Sequence, residues 1–530
     1  MHYGRGILDD PRRCRALLMD LCGTYRAEIN LLDMALRENI VDDLRSTSIG
    51  MPKSWVLARL TQRLRDAYFL PDDAARWAVE TVALAAELQP EDDRMRFFEF
   101  ALPALVMVRP WQGAEAGSDW TELGRTPGRV AVPGDMEVRI SAQVDDAAAP
   151  LLAQATADLG DVHQLDLSYG PITDDGLVAL ASIPGLVALS LSRTHVSDRG
   201  LQLLESYPNL RELELWGCAA ISDLGLEIVG KLQNLECLDL GRCTQVSSAG
   251  LWSLSALGHL SDLSLAGTRV DDAGMPAAGR LRSLRRLDLA DTALVGSGLA
   301  SIAELAGLRW LSLFGCVQLR PEGMAHLRRL RSLASLNLGG CGLLTDTALA
   351  HVRPLRWLLE LGLESLGVTD AGMLYLLDLV ALSRLDLGWT GISDEGVSRL
   401  VALKGLQALV LAGTQVSDTG LGYLAALPDL AYLDLSNTAV SDPGLAALAR
   451  VPTLRSLDLE GTGVSDAGMA SLLRMERLTH LYLCGTTITD QGVRRLASMP
   501  HLESLDLSLC PAVSEQVVSE LGEAGILVNY

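Results

Sequence analysis

Fifteen times along the chain a residue sits between two leucines, and these central residues are the first place to look for chemistry. In order they are Asp166, Ser190, Glu214, Asp239, Ser264, Asp288, Ser312, Asn337, Gly362, Asp386, Val410, Asp434, Asp458, Tyr482 and Asp506. Neighbouring carboxylates such as Asp434 and Asp458 could share protons for general acid/base work or hold a Ca²⁺ ion. The plainer reading is that Leu-Asp-Leu is repeat filler, and it is the one adopted: no catalytic residue, metal site or cofactor is expected. Ser312, Asn337 and Gly362 leave a gap in the charge, and Arg286 lies just before it in a basic stretch.

Other reactive side chains are similarly placed by the repeat. Cys218 and Cys243, and again Cys316 and Cys341, fall in consecutive repeats, but two thiols per cluster are too few for a closed zinc site. The eight histidines are scattered, with no partner at a spacing that predicts a dyad. No phosphate-binding Gly-rich loop ending in Lys-Ser/Thr, no His-Glu-x-x-His and no Gly-x-Ser-x-Gly occurs. What the repeat does not require are the large side chains at outward strand positions: Trp216, Trp310, Phe314, Tyr432, His480 and Tyr482, with Glu360, Glu364 and Arg384 beside them. Aromatics and arginine are the usual anchors of protein interfaces, so these residues and Arg286 form the candidate partner-binding set.

The elements that hold them follow from periodicity. The Leu-x-Leu pairs start at Leu165, Leu189, Leu213, Leu238, Leu263 and so on to Leu505, at steps of 24 or 25 residues. Alternation in a strand sends both leucines inward and the central residue outward. A Val/Ile-Ser/Thr-Asp-x-Gly-Leu-x-x-Leu segment comes next, with Ser or Thr as helix N-cap and Asp in the first turn. Each unit is strand, turn, helix, and only stacking on its neighbours buries its leucines. Three residues after the second Leu stands Thr in eight copies, each followed by a 24-residue step, or Cys in five, of which four precede a 25-residue step. A Thr hydroxyl can bond nearby backbone in a tight turn, whereas a buried thiol suits a wider one.

Before the repeats, Asp10 and Pro11 open an amphipathic helix, and three more follow in residues 24–39, 54–69 and 71–88, with a fifth element near 94–108. Residues 111–129, "WQGAEAGSDWTELGRTPGR", read as a linker. The formal charge of −22 argues against a nucleic-acid partner. Residues 1–110 hold 15 basic and 17 acidic side chains, so the acidity belongs to the repeats. No secretory signal is visible at the start, and the longest apolar run there, Ala101–Val108, is too short to cross a bilayer. Nine cysteines in no disulfide pattern point to the cytoplasm, with no membrane partner.

The pattern L-x-x-L-x-L-x-x-[TC]-x-[VI]-[ST]-D-x-G-L resembles the cysteine-containing class of leucine-rich repeats and its Thr-bearing bacterial relatives, from about Val132 to Tyr530. That resemblance implies an α/β leucine-rich repeat solenoid, continuous over 132–530 with capping coils at both ends, a parallel sheet on its concave side and helices on its convex side. The segments "RGILDDPRRCRALLMDLC" and "AARWAVETVALA" resemble a small helical domain of bacterial signalling and conflict-system proteins, which is thought to recruit partners. The expectation is therefore a small all-α partner-recruitment domain over 1–110, a linker over 111–131, then the solenoid. The function expected is that of a non-enzymatic adaptor, binding a protein ligand on the concave face and a signalling or defence protein through the helical domain. The alternatives are a catalytic unit hidden in the amino-terminal module, or a ubiquitin-ligase substrate adaptor, which shares this repeat class but for which no F-box-like segment precedes the array.

Overall fold

The computed structural model describes residues 59–65, 78–79, 95–100, 103–110, 121–125, 128–133, 136–159, 162–181, 183 and 185–530. The chain forms two compact units, Met1–Ala220 and Ile221–Tyr530.

In the first unit, three strands of the expected type, β6 (Gln164–Asp166), β7 (Ala188–Ser190) and β8 (Glu212–Glu214), run parallel in register. Five further strands precede them: β1 (Met95–Phe100), β2 (Leu105–Pro110), β3 (Thr121–Arg125), β4 (Gly128–Pro133) and β5 (Met136–Ser141). β5 pairs parallel with β6 on one side and antiparallel with β2 on the other, and β2 pairs antiparallel with β3. β1 and β4 form a separate antiparallel ribbon from Met95↔Pro133 to Phe100↔Gly128. The sheet of the coils is thus closed at this end by antiparallel strands, not by one atypical coil alone. Val106, Val108, Leu123, Val138 and Ile140 are among its buried residues, and Arg109 Nε donates to Glu137 Oε2 at 2.6 Å.

Two expectations need correction here. The segment 95–110 was expected inside an all-α domain, yet it supplies β1 and β2. The stretch 111–131 was expected as a linker, yet it contains β3 and most of β4. A continuous apolar run such as "LVMV" fits strand and buried helix equally, and pairing decides. Residues 59–65 and 78–79 are helical as expected; the remainder of the four-helix reading lies outside the described residues.

In the second unit the sheet runs as β9 (Cys237–Asp239), β10 (Asp262–Ser264), β11 (Arg286–Asp288), β12 (Trp310–Ser312), β13 (Ser335–Asn337), β14 (Glu360–Gly362), β15 (Arg384–Asp386), β16 (Ala408–Val410), β17 (Tyr432–Asp434), β18 (Ser456–Asp458), β19 (His480–Tyr482), β20 (Ser504–Asp506) and β21 (Leu527–Asn529). Every neighbouring pair is parallel, with leucine opposite leucine from β9 to β20, and the ladder is unbroken at Gly362. Both leucines of each motif are buried, as Leu433 and Leu435 illustrate at 0% exposure.

The Ser/Thr-Asp-x-Gly segment does more than start a helix. Ser417 caps Asp418–Leu424 by accepting from Thr419 N, as expected. Its backbone N–H and hydroxyl also donate to the two carboxylate oxygens of Asp394 in the preceding coil, at 2.8 and 2.6 Å. Asp418 receives Ser441 the same way, Asp442 receives Ser465, and Asp466 receives Thr489. The same pairing joins Asp174 to Ser197 in the first unit. The aspartate is therefore a bidentate clasp on the next coil, made of charge-assisted bonds. It also explains the glycine: a Cβ on Gly420 would collide with Asp394 Oδ1, and one on Gly468 would stand 2.5 Å from Asp442 Oδ1.

Thr and Cys at the turn differ in what they bond. Thr292 Oγ1 donates to Leu289 O of its own coil at 2.7 Å. Cys316 Sγ donates at 3.2 Å to the same Leu289 O, now in the coil before. Cys218, Cys341 and Cys510 likewise reach back to Leu191, Leu313 and Leu483. Thr tightens its own turn; Cys ties its turn to the previous coil.

Candidate functional site

The open face of the second unit's sheet carries the candidate site. Between Trp310 on β12 and Tyr432 on β17 the sheet face over β13–β16 holds a trough of about 280 Å³. Its floor includes Ser335, Asn337, Gly362, Asp386, Ala408 and Val410, with Glu360 and Arg384 along one side. The glycine at 362 is not incidental, since a Cβ there would stand 2.6 Å from Asn337 Oδ1. Small residues at consecutive strand centres thus create a depression that no single repeat could form.

Of the sequence-derived candidates, Trp310, Glu360, Arg384 and Tyr432 line this trough together. Arg286 does not point freely into it: its guanidinium stacks 3.6 Å from the centroid of the Trp310 ring, fixing the indole that bounds the trough. Phe314 and Glu364 lie outside the trough's lining; the Phe314 ring packs over the next coil, where a Cβ on Gly339 would stand 2.9 Å from it. Glu360 accepts from Ser335 Oγ at 2.9 Å and lies 3.9 Å from Arg384 Nε. Glu364 and Asp386 have no ion-pair partner among the described residues. Burial and the nearby Asp386 raise the Glu364 pKa above its ordinary value. Burial, with Asp434 adding to it, raises that of Asp386, although the Gly388 N–H opposes the shift.

The remaining candidates stand apart. His480 and Tyr482 are on β19, two strands beyond Tyr432, with His480 Nδ1 2.9 Å from Thr479 Oγ1. Trp216 belongs to the first unit, where Arg193 stacks between it and Tyr169, 4.7 and 5.7 Å from the two rings.

Sequence reasoning missed one row of residues. In each of fifteen coils the third residue after the strand adopts φ between +54° and +73°; seven of these are glycine and eight are not. Left-handed backbone costs a non-glycine residue about 1–2 kcal/mol. Tyr169, Trp389 and Leu509 are all exposed despite that cost, and Trp389 (φ 56°) packs over Gly413 of the next coil. The alternation of glycine with large side chains at one repeat position was the available signal.

The geometry is that of an open sheet face, with a shallow trough, on a repeat scaffold. Among the described residues no group of three or more metal-ligating side chains comes together. No described helix is long and apolar enough to cross a membrane. A leucine-rich repeat region family matches residues 226–471, and a second leucine-rich repeat family matches residues 162–181. The chain is a leucine-rich repeat protein. No curated protein matches it in sequence. Among solved structures it is similar in fold to an internalin (inlF) from Listeria monocytogenes, at 22% identity over 68% of this chain and 94% of that one, with a TM-score of 0.47. The Leptospira interrogans leucine-rich repeat protein LIC12759 gives 20% identity over 72% and 98%, with a TM-score of 0.44. TLR13, in a complex with ssRNA13, gives 19% identity over 71% and 60%, with a TM-score of 0.46.

Proposed function

We propose that this chain is a non-enzymatic recognition protein whose sheet face binds a protein ligand, the trough between Trp310 and Tyr432 being the centre of contact. The observation that carries this reading is the trough itself, bounded by Trp310 and Tyr432, with Trp310 braced by Arg286, and floored largely by small side chains. Rigid aromatic anchors around a desolvated depression are where binding energy concentrates. The amino-terminal helical residues would couple the captured ligand to a bacterial signalling or defence partner, a role that rests on the resemblance in sequence. The cytoplasm is the compartment proposed, because the repeat cysteines serve as buried free thiols bonded to backbone carbonyls.

The test is a photo-cross-linking residue placed at Tyr432 in the trough and, separately, at the exposed Leu224 of the helix Asp223–Val229. In extracts of cells carrying the gene, a discrete protein adduct is expected from position 432 and not from 224. That adduct should disappear in the Trp310→Ala/Phe314→Ala variant at a nearly unchanged melting temperature. Equal loss of adduct and stability would return both aromatics to a packing role, and turnover of nucleotide or peptide by the purified chain would favour an enzyme.

A further inference from the structure

The trough's dimensions and charge restrict what can occupy it. From β12 to β17 there are five strand spacings, so the trough is roughly 24 Å long at ~4.8 Å per strand. A small-molecule pocket usually encloses 300–1,000 Å³. This depression offers about 280 Å³ spread along that length, which suits an extended segment of about seven residues at ~3.4 Å each.

Its electrostatics are one-sided. Over the outward positions of β9–β20 and the residue two beyond each strand, ten carboxylates stand against two arginines, Arg286 and Arg384. Both arginines are already engaged, one on the Trp310 ring and the other beside Glu360. Asp386 lies in the trough's lining, and Glu364 stands just outside it, two residues beyond Gly362, the parallel register partner of Asp386. The two repel each other and have no ion-pair partner among the described residues. A positive group between them would relieve that repulsion in a partly desolvated place, where charge pairing is worth most. Aromatic walls at either end add surfaces on which cationic side chains stack well.

We infer that the partner of this trough is a basic protein segment, bound extended, with a lysine or arginine side chain seated between Glu364 and Asp386. The inference rests on the recognition reading above and adds the chemistry of the ligand. It makes the central uncharged gap a place for the ligand's backbone, while the flanking acids, Asp288 on β11 and Asp434 on β17, steer a basic chain toward it.

The probe is a phage-displayed library of random 12-residue peptides, selected on the full chain. Two variants serve as readouts. Glu364→Gln/Asp386→Asn removes both charges, and Asn keeps an oxygen for the Gly388 N–H, which Asp386 Oδ1 accepts at 2.9 Å. Trp310→Ala/Phe314→Ala removes the Trp310 wall together with the other large aromatic of the same coil. The expected result is enrichment of lysine- or arginine-bearing peptides that, once synthesised, bind the carboxylate variant at least tenfold more weakly, with no loss of thermal stability in that variant. Peptides that need Trp310 and Phe314 but are neutral or acidic, or bind the carboxylate variant equally well, would overturn the basic-segment inference and leave the recognition reading standing. Peptides indifferent to both variants, or no enrichment at all, would count against both.

Discussion

The guanidinium of Arg286 lies 3.6 Å from the centre of the Trp310 ring, across the β11–β12 register pair. The stack converts an exposed arginine from a free charge into a brace for the indole at the trough's edge. An exposed cation–π pair contributes about 0.5–1 kcal/mol. A double-mutant cycle of Arg286→Ala and Trp310→Ala, read by urea denaturation, should show coupling of that size. Strict additivity would mean the two do not touch in solution.

Two glycines in one short helix should respond in opposite directions to alanine. Gly420 faces the Asp394 carboxylate of the coil before, so Gly420→Ala must displace the clasp on Ser417 and should cost about 2 kcal/mol or more. Gly422, two residues on, has nothing within 4 Å of an added Cβ and lies inside the helix Asp418–Leu424. Gly422→Ala should therefore stabilise by about 0.5–1 kcal/mol. Denaturant midpoints moving the same way for both variants would refute the clasp as the reason for the glycine.

Asp458 of the sheet face and Asp490 of a clasp should leave opposite marks on the pH profile. Burial, reinforced by Asp434 and Glu460, pushes the Asp458 carboxyl up to about 6. Between the ordinary carboxylate value near 4 and about 6, the folded state holds a proton that the unfolded chain has released. Stability therefore falls as pH rises through that window. The Ser514 N–H and hydroxyl hold Asp490 below its ordinary value, so its contribution is complete above about 4 and is lost as pH drops further. Asp458→Asn, which can still accept from Glu460 N, should raise stability at pH 7.5 by on the order of 1 kcal/mol after solvent screening, and hardly at all at pH 4. An equal change at both pH values would remove the ionisation argument.

Thiol labelling should follow burial. Cys237 and Cys484 are half-exposed, whereas Cys218, Cys243, Cys316, Cys341 and Cys510 are buried. Burial pushes the Cys341 thiol up to about 12, which leaves little thiolate to react. Iodoacetamide followed by peptide mapping should modify Cys484 and Cys237 in the native protein and the five buried thiols only after unfolding. Native modification of Cys316 or Cys341 at the Cys484 rate would contradict the packing described here.

The parts of the fold legible in sequence were those set by local period. Leu433 and Leu435 are two apart, and any chain that stacks such pairs must bury them together. The strands β1–β4 were not legible, because "LVMV" suits helix or strand, and because "GRVAVP" becomes a strand only through a partner some thirty residues away. Asp394 shows the same limit. Its place in a first turn suggested a favourable dipole, but its bonds go to Ser417, and a contact between coils has no local signature. The trough was half legible. The small residues Asn337 and Gly362 and the aromatics Trp310 and Tyr432 could be named one by one, while Arg286 being taken up by Trp310 could not. Trp389 was missed because its repeat position is a left-handed turn and not part of the strand.

The clasp between Asp394 and Ser417 is geometrically the same as that between Asp418 and Ser441. From Asp370 to Asp490 each coil consequently offers a matching socket to the one that follows and a matching plug to the one that precedes. Loss or duplication of a 24-residue unit within that run would rejoin matching ends, with Asp394 receiving Ser441 in place of Ser417. Unequal crossing-over within the gene can therefore lengthen, shorten or re-space the ligand-facing surface in a single event. The surface that selects a partner can change quickly in evolution, while the joints that keep the array folded need no change at all.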